Sequence, residues 1–297
     1  MSSSGMPNFM IIGAAKSGTT SLHHYLTQHP QIFLPMEKEL QFFTDNELYN
    51  KGKEFYLNSY FSGAESYSAI GEATPFYLHR PEIVIPRLKH FFPAESLKFI
   101  VLLRDPVKRA WSHYLHMVRL GLEPLSFEQA LEAESERLSQ QPMSWYSYFS
   151  DGLYYRQLEK WFNQFPKEHF LIITQDQLAE NVTQTLEDVF MFLDVESHIS
   201  IADTTMKNEA GEAKSKLLMR FLMGRPFGMP AIKRVLPIKF RRRVGMKLRQ
   251  MNTRPVSSVM EMNAETYDLL RKEYDQDIAS LERLLNRSFA SWRTEVC

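Results

Sequence analysis

The sequence predicts an α/β fold in which a parallel β-sheet is covered by helices on both faces. Three observations predict it. Short apolar runs recur at residues 9–12, 98–103 and 170–173, each of strand length. Stretches with helical spacing follow them along the chain. The runs are continuously hydrophobic instead of alternating, as strands buried on both faces require.

Phe9–Ile12 is the first strand and ends at Gly13. Residues 19–29 have helical spacing at Leu22, Tyr25 and Leu26, and Pro30 closes them. KFIVLL at 98–103 is the second strand. Pro106 to Leu120 is a helix that opens with proline and stops at Gly121. Ser126 and Gln129 form a capping box for a helix through Leu138. Tyr154 to Phe165 sets Leu158, Trp161, Phe162 and Phe165 on one helical face. A third strand at 170–173 and a helix near 183–193 follow, and Asn263 caps a last helix to about Leu285. The expectation is one domain with a helical insertion at about 107–150 and a helical C-terminal part.

Composition narrows the function classes. With 44% hydrophobic and 24% charged residues, the chain is neither disordered nor a fibrous rod. Its one cysteine, Cys297, excludes an internal disulfide and a cysteine-based zinc site. Thirty-five basic residues balance 35 acidic ones, so no global charge draws the chain to nucleic acid or an anionic membrane. No apolar run reaches the ~18 residues of a membrane span, so no stable membrane insertion is expected. The opening MSSSGMPNFMIIGAAKSG lacks the pattern of a secretory signal, and a cytoplasmic location is expected. Nothing in the sequence sets an oligomeric state.

The neutral total hides an asymmetry. Residues 213–260 hold 13 Lys and Arg and no Asp or Glu, and the remainder holds 22 basic and 35 acidic residues. Broken by Pro226, Pro230 and Pro237, this stretch reads as short helices and turns. Three readings stay open: a solvated basic face, a lip over an anionic ligand, and a membrane-surface patch.

The strongest local signal is FMIIGAAKSGTTSLHHYLTQH at 9–29, a strand, a loop and a helix. Gly13 and Gly18 permit a tight loop with inward backbone N–H groups, and the helix N-terminus adds positive field. Lys16 lies in the loop, and Thr19 and Thr20 supply hydroxyls at the first turn. The glycines have G-x-x-x-x-G spacing, yet Thr19 follows where a nucleoside triphosphatase carries lysine. A second anion site follows from LLRDPVKRAWSHY at 102–114. Arg104 stands at the strand's carboxyl end, and Ser112 falls about two helical turns later. The two could hold one phosphate, with Asp105 and Pro106 as turn and cap.

With these motifs the chain resembles the sulfotransferases that use 3′-phosphoadenosine 5′-phosphosulfate (PAPS). In that family a loop of the form PKSGTT binds the 5′-phosphosulfate, and an arginine at a strand end with a serine in the next helix binds the 3′-phosphate. AAKSGTTSL at 14–22 and RDPVKRAWSHY at 104–114 match, with Ala15 where proline is usual. YRQLEKWFNQF at 155–165 and LERLLNRSFASW at 281–292 extend the resemblance over nearly the whole chain. KELQFF at 38–43 is similar to the branch of heparan sulfate sulfotransferases and their bacterial relatives, where such a glutamate is the proposed base. GEATPFYL at 71–78 resembles a companion segment, with Ala73 where several glycan-modifying members carry lysine.

The resemblance implies a P-loop-type parallel sheet flanked by helices and one sulfotransferase domain over 7–293. It implies PAPS as sulfuryl donor, held by Ala15, Lys16, Ser17, Gly18, Thr19, Thr20, Arg104, Ser112 and Lys207. Lys16 and Glu39 are the implied catalytic residues, transfer is in line, and no metal is expected. The implied acceptor is a hydroxyl, in preference to an amine, of a small molecule or saccharide. Among the residues, His113 competes with Glu39 as base, and Trp145, Tyr146, Tyr148 and Phe149 could wall an acceptor or pack a lid or core. A P-loop kinase using ATP and Mg²⁺ and a non-catalytic nucleotide-binding protein are the alternatives.

Overall fold

The structure is a computed structural model that describes residues 5–140, 145–205, 211–215, 218, 248, 251–255 and 260–293. The chain divides into two compact units, Met1–Arg109 with Phe149–Asn208 and Asp268–Cys297, and Ala110–Tyr148 with Glu209–Tyr267.

The first unit holds a five-stranded parallel sheet. Its strands are β1 (Phe9–Gly13), β2 (Ile32–Phe33), β3 (Ala69–Ala73), β4 (Lys98–Leu103) and β5 (Phe170–Thr174), in the order β2-β3-β1-β4-β5. Central β1 pairs with β3, Phe9 opposite Gly71, and with β4, Phe9 opposite Lys98. Helices α1 (Thr19–Leu26), α2 (Asn46–Tyr49), α3 (Gly52–Tyr60) and α4 (Pro81–Phe91) precede β4. Helix α5 (Pro106–Arg119) starts in the first unit, and α6 (Phe127–Glu132) and α7 (Glu134–Gln140) belong to the second. Next come α8 (Tyr154–Phe162), α9 (Gln175–Glu180) and α10 (Val182–Phe192), then strands β6 (Gly211–Ala213) and β7 (Thr253–Pro255), and finally α11 (Ala264–Leu285).

Burial explains why the three apolar runs became strands. Phe9 and Ile11 pack in one cluster with Leu22 and Leu26 of α1 and with Leu186, Val189 and Phe190 of α10. Phe99 of β4 instead meets the rings of Trp161, Phe165 and Phe170. Each such side chain contributes about 1.5–3 kcal/mol on burial. Trp161 also donates from Nε1 to the Leu78 carbonyl at 2.9 Å, so its one polar atom is satisfied inside the core.

Several boundaries differ from expectation. The helix expected over 19–29 stops at Leu26, because the amides of Gln28 and His29 bond three residues back, to Tyr25 and Leu26. The Ser126–Gln129 capping box forms as predicted, but the helix breaks at Ala133 into α6 and α7. Strand β3 was not foreseen: Gly71 and Glu72 interrupt its apolar run, although all five residues are buried.

The basic stretch 213–260 is not helix and turn throughout. Ala213 lies in strand β6 and residues 253–255 form strand β7, and the two strands pair antiparallel with Glu212 opposite Arg254. Pro226, Pro230 and Pro237 lie outside the described residues. Among the described residues no helix is long and apolar enough to cross a membrane.

Within the second unit, Glu123 is a hub. It receives Arg137 through Nη1 at 2.6 Å and Nη2 at 3.0 Å, and the Tyr148 hydroxyl at 2.7 Å. Arg137 also lies over the Tyr146 ring, 4.5 Å from its centre. These contacts hold Tyr146 and Tyr148 in place, and His113 is buried edge-on against Tyr148.

Candidate active site

Strand order places the site. The chain leaves β1 toward β2 and β3 on one side, and β4 and β5 lie on the other. In sheets of this kind ligands bind in the crevice at the carboxyl ends where the direction reverses. The loop after β1 and Arg104 after β4 both emerge at that point.

Close backbone packing shapes the loop. A Cβ on Gly13 would sit 2.5 Å from Leu78 Cβ, so only glycine fits there. Ala14 donates its amide to the Leu102 carbonyl at 2.7 Å, which seats the loop on β4. Lys16 and Gly18 take positive φ, 70° and 96°. That conformation is natural for Gly18 and strained for Lys16 by about 1–2 kcal/mol. Ala15 and Ser17 are buried, and Lys16 is half-buried. Thr19 and Thr20 open α1, whose first helical bond runs from the Leu22 amide to the Gly18 carbonyl at 3.1 Å. Its first-turn amides thus have no helical carbonyl ahead of them, and they face the loop.

Arg104 joins the second motif to this loop. Its Nη1 donates to the Lys16 carbonyl at 3.2 Å. Its Nε is buried without a hydrogen-bond partner among the described residues. Burial pushes the guanidinium pKa down from its ordinary value, as expected of a cation short of compensating charge. Tyr154 supports the turn by donating to the Arg104 carbonyl at 2.9 Å, and burial holds its own pKa up at about 12. Ser17 Oγ is enclosed without a bond of ordinary geometry, beside that tyrosine hydroxyl. Asp105 has the capping role read from sequence: Oδ1 accepts the amides of Val107 at 2.9 Å and Lys108 at 3.2 Å. Its other oxygen meets Arg271 at 2.9 Å, so Asp105 does not neutralise the cations of the site by itself.

Glu39 lies in a segment of unusual backbone. Its φ is 58° and that of Gln41 is 52°, and neither residue is glycine. The Glu39 amide donates to the Ala73 carbonyl at 2.9 Å, beside the loop-bearing strand. The residue that sequence reasoning missed is Lys38. Its ammonium donates to the Thr20 hydroxyl and stands 3.7 Å from Glu39 Oε1. The lysine side chain is only 15% exposed, so this charge acts in a partly desolvated place. The signal was available as the cation adjoining the expected base, in KEL at 38–40.

The other residues singled out in the sequence lie on several elements. Ser112 is half-buried on α5 and belongs to the second unit. Lys207 lies outside the described residues. His23 and His24 sit on α1, where His24 Nε2 is 3.0 Å from Asp203. Phe149 stacks on Tyr274, which donates to its carbonyl at 2.9 Å, so this ring is packed.

Comparisons with known proteins identify the family. The sulfotransferase domain family matches residues 6–217. The membrane-associated sulfotransferase kil1 of Dictyostelium discoideum is 41% identical over 139 residues, covering 44% of this chain and 28% of that protein. Human heparan sulfate glucosamine 3-O-sulfotransferase 5 is 28% identical over 201 residues, covering 66% of this chain and 55% of that protein. The chain therefore spans about a quarter and about half of these two relatives. The crystal structure of a sulfotransferase from Alicyclobacillus acidocaldarius superimposes with a TM-score of 0.72 at 28% identity, covering 97% of this chain and 99% of that one. The chain belongs to the sulfotransferase domain family.

Proposed function

We propose that this protein transfers a sulfuryl group from PAPS to a hydroxyl of a small-molecule or saccharide acceptor, with Glu39 as base. The observation that carries this reading is the Lys38 ammonium, bonded to Thr20 of the phosphate loop and 3.7 Å from Glu39. One cation thus joins the donor side of the site to the expected base. Family membership supports the reaction class, and the name of the human glucosamine 3-O-sulfotransferase supports a hydroxyl acceptor.

The residues present suit the donor. Lys16, the loop amides of 15–18 and the hydroxyls of Thr19 and Thr20 would hold the 5′ group. Arg104, whose buried Nε has no hydrogen-bond partner among the described residues, would hold the 3′-phosphate, and the family motif adds Ser112. Lys207 is the further nucleotide contact that the family resemblance implies. When bound, the donor supplies the sulfuryl group and a phosphate leaving group. Lys16 and the oriented amides offer positive charge where charge grows on the bridging oxygen. Glu39 takes the proton of the acceptor hydroxyl on its carboxylate, and Lys38 orients that carboxylate. The single cysteine fits a reducing cytoplasm, the compartment of this reading.

Thermal stabilisation by adenosine 3′,5′-bisphosphate, against ATP with Mg²⁺, tests the reading, each with and without EDTA. A ligand that binds only the folded state raises stability logarithmically with its concentration. The expected result is a shift with the bisphosphate that survives EDTA. A shift with ATP and Mg²⁺ alone would replace this reading with the P-loop kinase.

A further inference from the structure

Glu72 is a carboxylate with no exposed surface, in the fully buried strand β3. Such a group is tolerated only where donors replace water. Three hydroxyls do so. Tyr56 and Tyr77 donate to Oε1 at 3.0 and 3.1 Å, and Thr74 donates to Oε2 at 3.4 Å. Burial and the neighbouring carboxylate push both tyrosine pKa values well above 10, so both remain protonated donors.

Two of these hydroxyls have a second task. Having given its proton to Glu72, the Tyr77 hydroxyl accepts the Phe43 amide at 3.2 Å. The Thr74 hydroxyl likewise accepts the Gln41 amide at 3.4 Å. With the Glu39 amide on the Ala73 carbonyl, alternate amides of 39, 41 and 43 are all anchored to the end of β3 and the residues after it. This is the segment that holds Glu39 and Gln41 at positive φ. Non-glycine residues persist in that conformation only where their surroundings over-determine it.

We infer that Glu72 is a positioning residue: through Tyr77 and Thr74 it fixes the 39–43 backbone and so sets Glu39 beside Lys38 and the phosphate loop. The inference rests on the proposed role of Glu39, but the relay can be tested apart from it. A carboxylate that only accepts forces each hydroxyl to point its proton inward and its lone pair at the amide. A neutral partner would not impose that polarity.

The test is amide hydrogen exchange on the full chain, comparing Tyr77→Phe, Tyr56→Phe and Glu72→Gln with the wild type. Tyr56 and Tyr77 donate to the same oxygen, but only Tyr77 carries an amide of the segment. The expected result is exchange at Phe43 and its neighbours at least tenfold faster in Tyr77→Phe and Glu72→Gln, and unchanged in Tyr56→Phe. Loop amides at 14–22 should keep their protection, and affinity for adenosine 3′,5′-bisphosphate should stay within about twofold. Equal loosening by both tyrosine variants, or none by Tyr77→Phe, would overturn the relay. Should Glu72→Gln not fold, the tyrosine pair decides alone. A wild type that does not bind the bisphosphate defeats the functional reading and leaves the exchange result standing.

Discussion

Arg104 donates from Nη1 to the carbonyl oxygen of Lys16 at 3.2 Å. The two motifs expected to bind anions, 88 residues apart in sequence, are thereby linked by a hydrogen bond. The arginine holds the loop at the residue whose backbone is left-handed, and it keeps Nε for another partner.

Lys16→Ala and Arg104→Ala should each weaken binding of adenosine 3′,5′-bisphosphate. A hydrogen bond to a charged group contributes about 1.5–3 kcal/mol, or roughly 10- to 150-fold in affinity. Arg104→Lys should not restore it, since a point charge cannot keep Nη1 on Lys16 and offer Nε as well. Titration calorimetry measures both, and full affinity in Arg104→Lys would show that charge alone suffices.

Glu39→Gln should leave bisphosphate affinity intact and lower sulfuryl transfer by about 10²–10⁴-fold, the usual range for a general base. Lys38→Met should lower transfer as well, because Glu39 loses the cation 3.7 Å away. Transfer from labelled PAPS to a panel of hydroxyl acceptors measures it. Undiminished transfer in Glu39→Gln would remove Glu39 from the chemistry.

Gly13→Ala should destabilise the fold by about 1–3 kcal/mol, the range for overpacking, because the new methyl meets Leu78 Cβ at 2.5 Å. Urea denaturation reads the change. Gly52→Ala is the contrast: nothing stands within 4 Å of its would-be Cβ, although its φ of 82° still strains the substitution.

Alkaline pH should destabilise the protein through its buried tyrosines. The folded pKa of Tyr154 is raised to about 12, against about 10 in the unfolded chain. Its contribution is complete below pH 10 and is lost as pH rises from about 10 to 12, because the unfolded chain releases the proton first. The loss for this group is roughly 2 kcal/mol by pH 12. Unfolding free energies between pH 8 and 11.5 should fall less steeply in Tyr154→Phe than in the wild type. Parallel curves would show that the hydroxyl is not held as described.

The sequence by itself determined the frame and half of the candidate site. Three apolar runs became β1, β4 and β5, since a strand buried on both faces must be continuously hydrophobic. The loop at 13–20 and Arg104 were legible because tight turns and anion binding demand particular residues at short spacing. Tertiary structure alone decided the rest. Strand β3 was hidden by Glu72, whose charge is acceptable only because Tyr56, Tyr77 and Thr74 arrive from other positions to solvate it. The place of Lys38 between Thr20 and Glu39 was equally hidden, because the loop and KELQFF meet only when β1 and β3 pair. Local spacing encodes what one segment must do; contacts between distant segments appear only when burial brings them together.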